Sequence, residues 1–218
     1  MILVPRTAAP TRGRALARTS LPLEACVTTP ARRRRILAVL LAPLALAACG
    51  TSEDGSGDAP LVPAAAPDGW TSHAMGPVDL SAPGEWEEFA TEPGEAADEA
   101  YALRAQGDGP GTGVHTSVTS ERRRDAEAAI ANLKDVGSAG VEARDVEEAV
   151  LSWPGAENAG WIGYEATVRI GADDVDMRYE YLVVDLEDSS QAIVAVVAPA
   201  EDFDESGAHD VLASVTVG

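Results

Sequence analysis

The chain has 218 residues, enough for one or two domains, and its charge divides into two pieces of opposite sign. Eight basic residues and one acidic residue precede Cys49, whereas the segment from Cys49 to Gly218 has 8 basic and 35 acidic residues, a net charge of −27. A piece this acidic cannot neutralise the phosphates of DNA or RNA. The composition therefore excludes a nucleic-acid binder, and it argues against a polytopic membrane protein.

The first predicted element is a signal peptide over residues 1–48. Four arginines, Arg32–Arg35, are followed by 13 mostly apolar residues, Ile36–Ala48, and then by polar residues after Cys49. A transmembrane helix needs about 20 apolar residues, so this run is too short to span a membrane stably. A basic segment, a short apolar run and a small-residue end are typical of a secretory signal peptide.

The segment that precedes the apolar run is about 35 residues long, which is unusual for a signal peptide. We therefore expect translation to start downstream, for instance near Val27, which leaves residues 1–26 outside the protein. The arginine run fits a twin-arginine export signal and a general secretory signal equally well, so the export route stays open.

The end of the apolar run, Leu46-Ala47-Ala48-Cys49, resembles the lipobox of bacterial lipoproteins. The resemblance implies a diacylglyceryl group on the Cys49 sulfur and cleavage just before this residue. The alternative is an ordinary cleavage site followed by an unrelated cysteine. Two acyl chains hold a protein stably at a bilayer, so we expect anchorage at the extracellular face of the cell membrane. The processed chain has no second cysteine, which leaves no disulfide, cysteine metal site or thiol nucleophile.

The processed chain is predicted to be a tether followed by one domain. Residues 49–67 are rich in Gly, Ser, Pro and acidic residues and lack aromatic residues, which is typical of a flexible acidic linker. The remaining 151 residues, 68–218, have the commonest size of a single domain.

The first half of this domain has short strand signals and one helix signal. Strands are predicted at 70–75, 78–81, 100–105, 114–119 and 141–151. Between the last two, apolar residues recur at helical spacing and Gly137 is expected to end the helix. The apolar positions of that helix are Ala126, Ala129, Ile130, Leu133 and Val136.

The second half has three clearer strands. Apolar and polar residues alternate from Tyr164 to Ile170 and from Val175 to Val183, as in half-buried antiparallel strands. Ala192–Ala198 is continuously apolar, which is typical of a strand covered on both faces. A helix from about Asp202 or Asp204 and a short strand at 215–217 follow. We therefore predict an α+β domain with a single twisted antiparallel β-sheet and flanking helices.

The segment from Gly76 to Trp86, Gly-Pro-Val-Asp-Leu-Ser-Ala-Pro-Gly-Glu-Trp, resembles the opening strand and Pro-x-x-Trp turn of PsbP-like domains. The meander and the ending from Ala198 to Val215 are similar to that family too. A lipobox, a linker and such a domain together resemble actinobacterial lipoproteins of the LpqN and LpqT type. The resemblance covers 68–218. It implies a twisted antiparallel sheet between helices, envelope-associated binding or scaffolding, and no catalytic motif.

The sequence has no nucleophile motif of a known hydrolase. A Gly-x-Ser-x-Gly elbow is absent, and the nearest string, Gly137-Ser138-Ala139-Gly140, is better explained as the end of a helix. His73, His115 and His209 are isolated, and none has a second histidine three or four residues away, as helical zinc motifs require. We expect surface or structural roles for all three, and a hydrolase is the least favoured class of function.

The acidic clusters also lack the pattern of a dedicated site. Asp173-Asp174-x-Asp176 and Glu201-Asp202-x-Asp204-Glu205 do not have calcium-loop spacing, and they fit a solvated hairpin tip and a helix N-terminus. Adjacent loop carboxylates such as Glu85, Glu87 and Glu88 rarely flank one glycosidic bond. We predict no catalytic residue, no metal site and no cofactor.

Two tryptophans are predicted to lie on either side of one turn, Trp153 in Trp153-Pro154-Gly155 and Trp161 in Asn158-Ala159-Gly160-Trp161. They fit either of two roles. They belong to the core of a domain with few other large side chains, or they line a ligand groove together with Tyr164.

The sequence therefore predicts a lipid-anchored cell-envelope protein with a non-catalytic binding or scaffolding domain. Its expected ligand is an apolar lipid or cell-wall precursor, in a pocket between sheet and helices. The alternative is an accessory subunit that docks by its acidic face onto an envelope protein complex.

Overall fold

A computed structural model describes residues 59–94, 96–107, 111–140 and 142–218, without the side chains of 136–140. The predicted signal peptide, the lipobox-like residues Leu46–Ala48, Cys49 and the first part of the linker lie outside the described residues.

The described chain forms mostly strands, with two α-helices and one 3₁₀ turn. The helices are α1, Ala126–Gly140, and α2, Ala208–Ala213, and the 3₁₀ turn is Ala200–Asp202. The strands are β1 Thr71–Met75, β2 Val78–Ala82, β3 Glu87–Glu88, β4 Glu99–Arg104, β5 Gly113–Thr119, β6 Ala143–Leu151, β7 Asn158–Ile170, β8 Asp173–Asp185, β9 Gln191–Pro199 and β10 Thr216–Val217.

The strands form two antiparallel sheets, so the prediction of a single sheet was wrong. The large sheet has seven strands in the order β3-β4-β5-β9-β8-β7-β6, and the small sheet has three in the order β1-β2-β10. The β1–β2 hairpin closes on itself at Met75 and Val78 and pairs with the C-terminal strand instead of the large sheet. Val78, Leu80 and Ala82 alternate with exposed or half-buried residues along β2, which gives the hairpin an apolar face that packs as a second layer.

The predicted meander is present as β7, β8 and β9, but β7 starts six residues before the predicted strand. Trp153 and Trp161 lie on either side of a turn at residues 154–155, as predicted, and β7 begins at Asn158 directly after this loop. Residues from Ala159 to Tyr164 are buried on both faces of the strand and so show no alternation in the sequence. This apolar stretch, which contains two glycines, was therefore not recognised as the start of the strand.

The second helix is shorter than predicted. A 3₁₀ turn occupies part of the predicted range, and α2 begins at Ala208. Gly207 has φ +74°, a left-handed conformation that separates the two elements. Helix α1 begins as predicted, where Asp125 Oδ1 accepts a hydrogen bond from the Ala128 backbone amide at 2.9 Å, but it continues past Gly137 to Gly140.

The large sheet carries a hydrophobic cluster on each face. On the inner face, Trp161, Leu182 and Val194 pack with residues of the small sheet and α2, including Leu80 and Leu212. On the outer face, α1 packs against the sheet. The residues of this outer cluster are Ala126, Ala129, Ile130, Ile162, Tyr164, Ala166 and Val183.

The described end of the predicted linker packs on the domain. Leu61 is 2% exposed and belongs to the inner cluster. The Ala64 amide donates a hydrogen bond at 2.8 Å to the carbonyl of Ala213, the last residue of α2. Residues 59–67 are thus part of the folded layer rather than a free tether.

None of the helices in the described ranges is long and apolar enough to cross a membrane.

Candidate ligand-binding groove

Helix α1 covers only part of the outer face of the large sheet. It sits over β6, β7 and β8. Ile130 and the start of the helix both lie against Gly160 of β7. A Cβ on Gly160 would lie 2.8 Å from Ile130 Cγ1, so the absence of a side chain lets the helix approach the sheet. The strands beyond β8 have no described helix on this face.

The uncovered part of the outer face forms a cavity of about 460 Å³. Strand register explains its shape. One row across the strands is Tyr181, Ala195 and His115, and the next is Tyr179, Val197 and Gly113. Small residues therefore lie between larger ones and leave a depression. We call it the tyrosine groove, lined chiefly by Phe89, Arg104, His115, Tyr179, Tyr181, Ala195 and Val197.

Stacked tyrosines form the wall of the groove nearest to α1. The Tyr164 ring centroid lies 5.3 Å from that of Tyr179 and 6.0 Å from that of Tyr181, with interplanar angles of 21° and 15°. The Tyr164 and Tyr181 hydroxyl oxygens are 3.3 Å apart. Burial raises the pKa of both Tyr179 and Tyr181, so these hydroxyls stay protonated and the wall carries no charge.

His115 lies on the floor of the groove, at the centre of β5. Burial lowers the pKa of its imidazole, which keeps the ring neutral at neutral pH. Its Nδ1 is 3.4 Å from the Ser117 hydroxyl, two residues along the same strand. A neutral ring with such a long contact adds polarity to the floor without adding charge.

The charge of the groove differs from that of the segment around it. About one residue in five after Cys49 is acidic, yet the described lining contains no Asp or Glu. Its one guanidinium belongs to Arg104, whose Cζ lies 5.6 Å from the centroid of the Phe89 ring at the groove edge. The arrangement can therefore hold an apolar molecule and place one positive charge at its end.

The structure does not bring Trp153, Trp161 and Tyr164 together along one groove. Trp153 and Trp161 are 4% and 1% exposed in the inner cluster, and Trp153 Nε1 donates to the Val215 carbonyl at 3.1 Å. Tyr164 is three residues from Trp161 on β7 and so faces the other side of the sheet. Of the three, Tyr164 alone borders the groove, through its stacking on Tyr179 and Tyr181.

The groove residues of β5, β8 and β9 were not predicted from the sequence. The sequence did indicate one feature of the groove. Tyr179 and Tyr181 are two residues apart in the clearest alternating strand, so their side chains must lie on the same face. Which strands lie beside them, and which of those the helix leaves uncovered, depends on long-range pairing.

A second, polar cavity lies on the inner face around Glu180. This side chain is 3% exposed, accepts a hydrogen bond from Arg178 Nε at 3.0 Å and lies 2.8 Å from His209 Nδ1. The contact with Glu180 raises the pKa of His209. Arg178 also stacks on Phe203, with its Cζ 5.3 Å from the ring centroid. Arg178 and His209 together neutralise Glu180, which suits a structural role for these three groups. Trp161 Nε1, which is buried beside the same cavity, has no hydrogen-bond partner among the described residues.

The predicted hairpin tip at Asp173–Asp176 is solvated and ion-paired. Asp174 pairs with Arg169 at 3.0 Å, and Asp176 pairs with Arg144 at 2.9 Å. Glu201 and Asp202 lie in the 3₁₀ turn before α2. Within the described ranges, no three His, Cys, Asp or Glu side chains form a group that could hold a metal ion.

The remaining candidate residues are dispersed over the domain. His73 is on β1, where its Nδ1 lies 3.5 Å from Glu88 Oε1, while His115 and His209 are on β5 and α2. Glu87 Oε1 accepts a hydrogen bond from Gln106 Nε2 at 2.5 Å. Glu85 is exposed beside Trp86, which is buried in the inner cluster.

No family model matches the chain, and no curated protein matches its sequence.

Proposed function

We propose that this chain is a lipid-anchored cell-envelope protein whose PsbP-like domain binds an apolar ligand, without catalysis, in the tyrosine groove. The observation that carries the proposal is the groove itself, an apolar depression of about 460 Å³ on a sheet face that α1 covers only in part. Ligand pockets are usually about 300–1,000 Å³, mostly apolar, with a few placed polar groups. The tyrosine groove has this size and composition.

Burial of apolar surface supplies the driving force. Removal of apolar surface from water is worth about 25 cal/mol per Å², so a ligand that buries roughly 200 Å² gains about 5 kcal/mol before the entropy of association is subtracted. The uncharged wall of Tyr179 and Tyr181 and the neutral His115 add no charge that an apolar ligand would have to desolvate.

The envelope location depends on the lipobox-like residues Leu46–Cys49. A diacylglyceryl group on Cys49 would hold the domain beside a bilayer, which is a source of apolar ligands. Metabolic labelling of a bacterial host with alkyne-palmitate tests this directly. The wild-type chain should be labelled and a Cys49→Ala variant should not, and an unlabelled wild-type chain would contradict the anchor.

The absence of a described acid beside His115 supports binding rather than catalysis. A hydrolytic triad needs an acid that orients the histidine, and the described lining of the groove provides none beside His115 and Ser117. We therefore expect a bound ligand to be recovered chemically unchanged. A time-dependent change in its mass would favour the hydrolase class.

A valine-to-glutamate substitution, made once inside the groove and once outside it, tests the binding site. Val197 lines the groove and is half-buried, whereas Val150 is 72% exposed on the edge strand β6 of the same sheet. Fluorescence titration with Nile red, an uncharged apolar dye, should give a Kd at least tenfold higher for Val197→Glu. Val150→Glu should leave it unchanged. Equal effects of the two variants, with both folded by circular dichroism, would contradict this site.

A further inference from the structure

The basic residues of the segment after Cys49 are few, and most have acidic partners. Five of the eight lie within 4.0 Å of a carboxylate: Arg122, Lys134, Arg144, Arg169 and Arg178. Arg104 has no such partner in the part of the chain that the structure describes. Its cross-strand neighbour Glu87 instead accepts a hydrogen bond from Gln106. Among the described residues, the Arg104 guanidinium at the groove thus has no carboxylate within 4.0 Å.

The place of Arg104 in the groove is fixed by its neighbours. Its guanidinium lies over the Phe89 ring, and Phe89 is held beside β4 by a hydrogen bond from its amide to the Ala102 carbonyl at 3.1 Å. Stacking on an aromatic ring leaves the N–H groups at the edge of the guanidinium plane free to donate. Because His115 is neutral, Arg104 is the one charged side chain of the described lining.

An apolar surface that ends at a single cation matches an amphiphile with an anionic head. Such charge complementarity is notable here because the rest of the domain is strongly acidic and repels anions. Guanidinium binds carboxylate and phosphate with two parallel hydrogen bonds, a geometry that an uncharged hydroxyl cannot reproduce.

We propose, on the basis of the function proposed above, that the ligand of the tyrosine groove is an anionic amphiphile. Its acyl chain lies against Tyr179, Tyr181 and Val197, and its carboxylate or phosphate pairs with Arg104. Free fatty acids and lipids with a phosphate headgroup share this chemistry.

Three probes with the same C12 chain separate the head from the tail: laurate, dodecyl phosphate and dodecanol. Isothermal titration of the full-length chain, expressed without lipoprotein processing and purified without detergent, gives the affinities. At least one of the two anions should bind about tenfold more tightly than dodecanol. A preference for laurate identifies a fatty acid, and a preference for dodecyl phosphate identifies a phosphate headgroup.

The variant Arg104→Gln should lose the preference for the anion and keep the affinity for dodecanol. Arg104→Lys keeps the charge and should retain part of the preference, which separates electrostatics from a folding defect. Arg169→Gln, at the exposed β7–β8 turn, is the matched control and should bind as the wild type does. Added salt should weaken binding of the anions more than binding of dodecanol.

Two results would overturn the proposal, and they differ in what they say of the groove. If dodecanol binds as tightly as both anions, or if Arg104→Gln keeps the preference, the anionic head is wrong while the apolar site stands. If none of the three probes binds, the proposed ligand-binding function fails together with it.

Discussion

The two halves of the outer face of the large sheet are formed by different strands and differ in burial. Over β7 and β8, Ile162 and Val183 are fully buried under α1. Over β9 and β5, Val197 and His115 occupy equivalent positions and stay half-buried around a groove. The difference lies in what covers each half rather than in the apolar character of the strands.

Simple dimensions explain why half of the face stays uncovered. Seven strands at about 4.8 Å spacing make a sheet about 29 Å wide, whereas a helix is about 10 Å across. One helix can cover roughly a third of such a face, and α1 is the one described helix that packs on it. The side chains on the uncovered part of the face must either be polar or be covered by another partner. Ala195 and Val197 on the uncovered face of β9 are apolar, which supports the proposed ligand.

The largest loss of stability is expected at Asp185, which binds the start of α1 to the large sheet. Asp185 is fully buried and accepts hydrogen bonds from the Ala126 amide at the start of α1 at 3.0 Å, from Gln191 Nε2 at 2.7 Å and from Asn158 Nδ2 at 3.2 Å. Asp185→Ala removes the acceptor of the Ala126 amide and of one Gln191 N–H group, although Gln191 Nε2 keeps its bond to the Arg124 carbonyl. The variant should lower the free energy of unfolding by about 3 kcal/mol. Urea denaturation measures this loss.

An exposed aspartate provides the control for that measurement. In the described part of the chain, Asp174 pairs with Arg169 alone, in an exposed ion pair, so Asp174→Ala should change the stability by less than about 0.5 kcal/mol. Similar losses for the two variants would mean that Asp185 does not hold α1 on the sheet.

A valine-to-alanine substitution in each half of the outer face tests whether the two halves are packed differently. Val183→Ala removes two methyl groups from a fully buried site under α1 and should cost about 2 kcal/mol. Val197→Ala removes them from the half-covered groove and should cost less than about 1 kcal/mol while it weakens binding of Nile red. Equal losses of stability would show that the groove half is packed as tightly as the covered half.

The next prediction concerns Gly160, where α1 comes close to the sheet. Gly160→Ala places a methyl group 2.8 Å from Ile130 Cγ1 and should cost about 1–2 kcal/mol through displacement of the helix. Ile130→Ala opens space at the same point, so the double variant should lose less stability than the sum of the single variants. Strict additivity would contradict a direct steric conflict.

The smallest effects on stability are expected from two histidines whose pKa values are shifted in opposite directions. Burial lowers the pKa of His115, so the unfolded chain binds the proton more tightly and stability falls as the pH drops below about 6.5. Contact with Glu180 raises the pKa of His209, so its contribution is complete below about pH 6.5 and is lost as the pH rises through the folded-state value.

Urea denaturation at about pH 5.5, 6.5 and 8 separates the two contributions. His115→Gln should reduce the loss of stability on the acidic side of pH 6.5, and His209→Gln should reduce the loss on the alkaline side. The assignment of the two shifts would be reversed if each variant altered the other side of the profile.

Local patterns predicted the elements better than their assembly. The alternation in β8 and the apolar run of β9 predicted the positions of those strands correctly, because each pattern depends on neighbouring residues alone. The expectation that β9 is covered on both faces was wrong, since Ile193, Ala195 and Val197 are only half-buried. Ala159–Tyr164 gave no alternation because both faces are buried, and the small sheet depends on pairing between β2 and a strand more than 130 residues away. The groove combines residues of β4, β5, β8 and β9, so its composition follows only from strand order.

Native mass spectrometry of the full-length chain, purified from a bacterial host and measured before and after organic extraction, tests the ligand-binding claim most directly. We predict a non-covalent mass of lipid size that extraction removes from the wild-type and Val150→Glu chains and that is absent from Val197→Glu. A wild-type chain that carries no extractable mass, and takes up none when incubated with envelope lipids, would contradict the claim. It would turn attention to a protein partner for the acidic face.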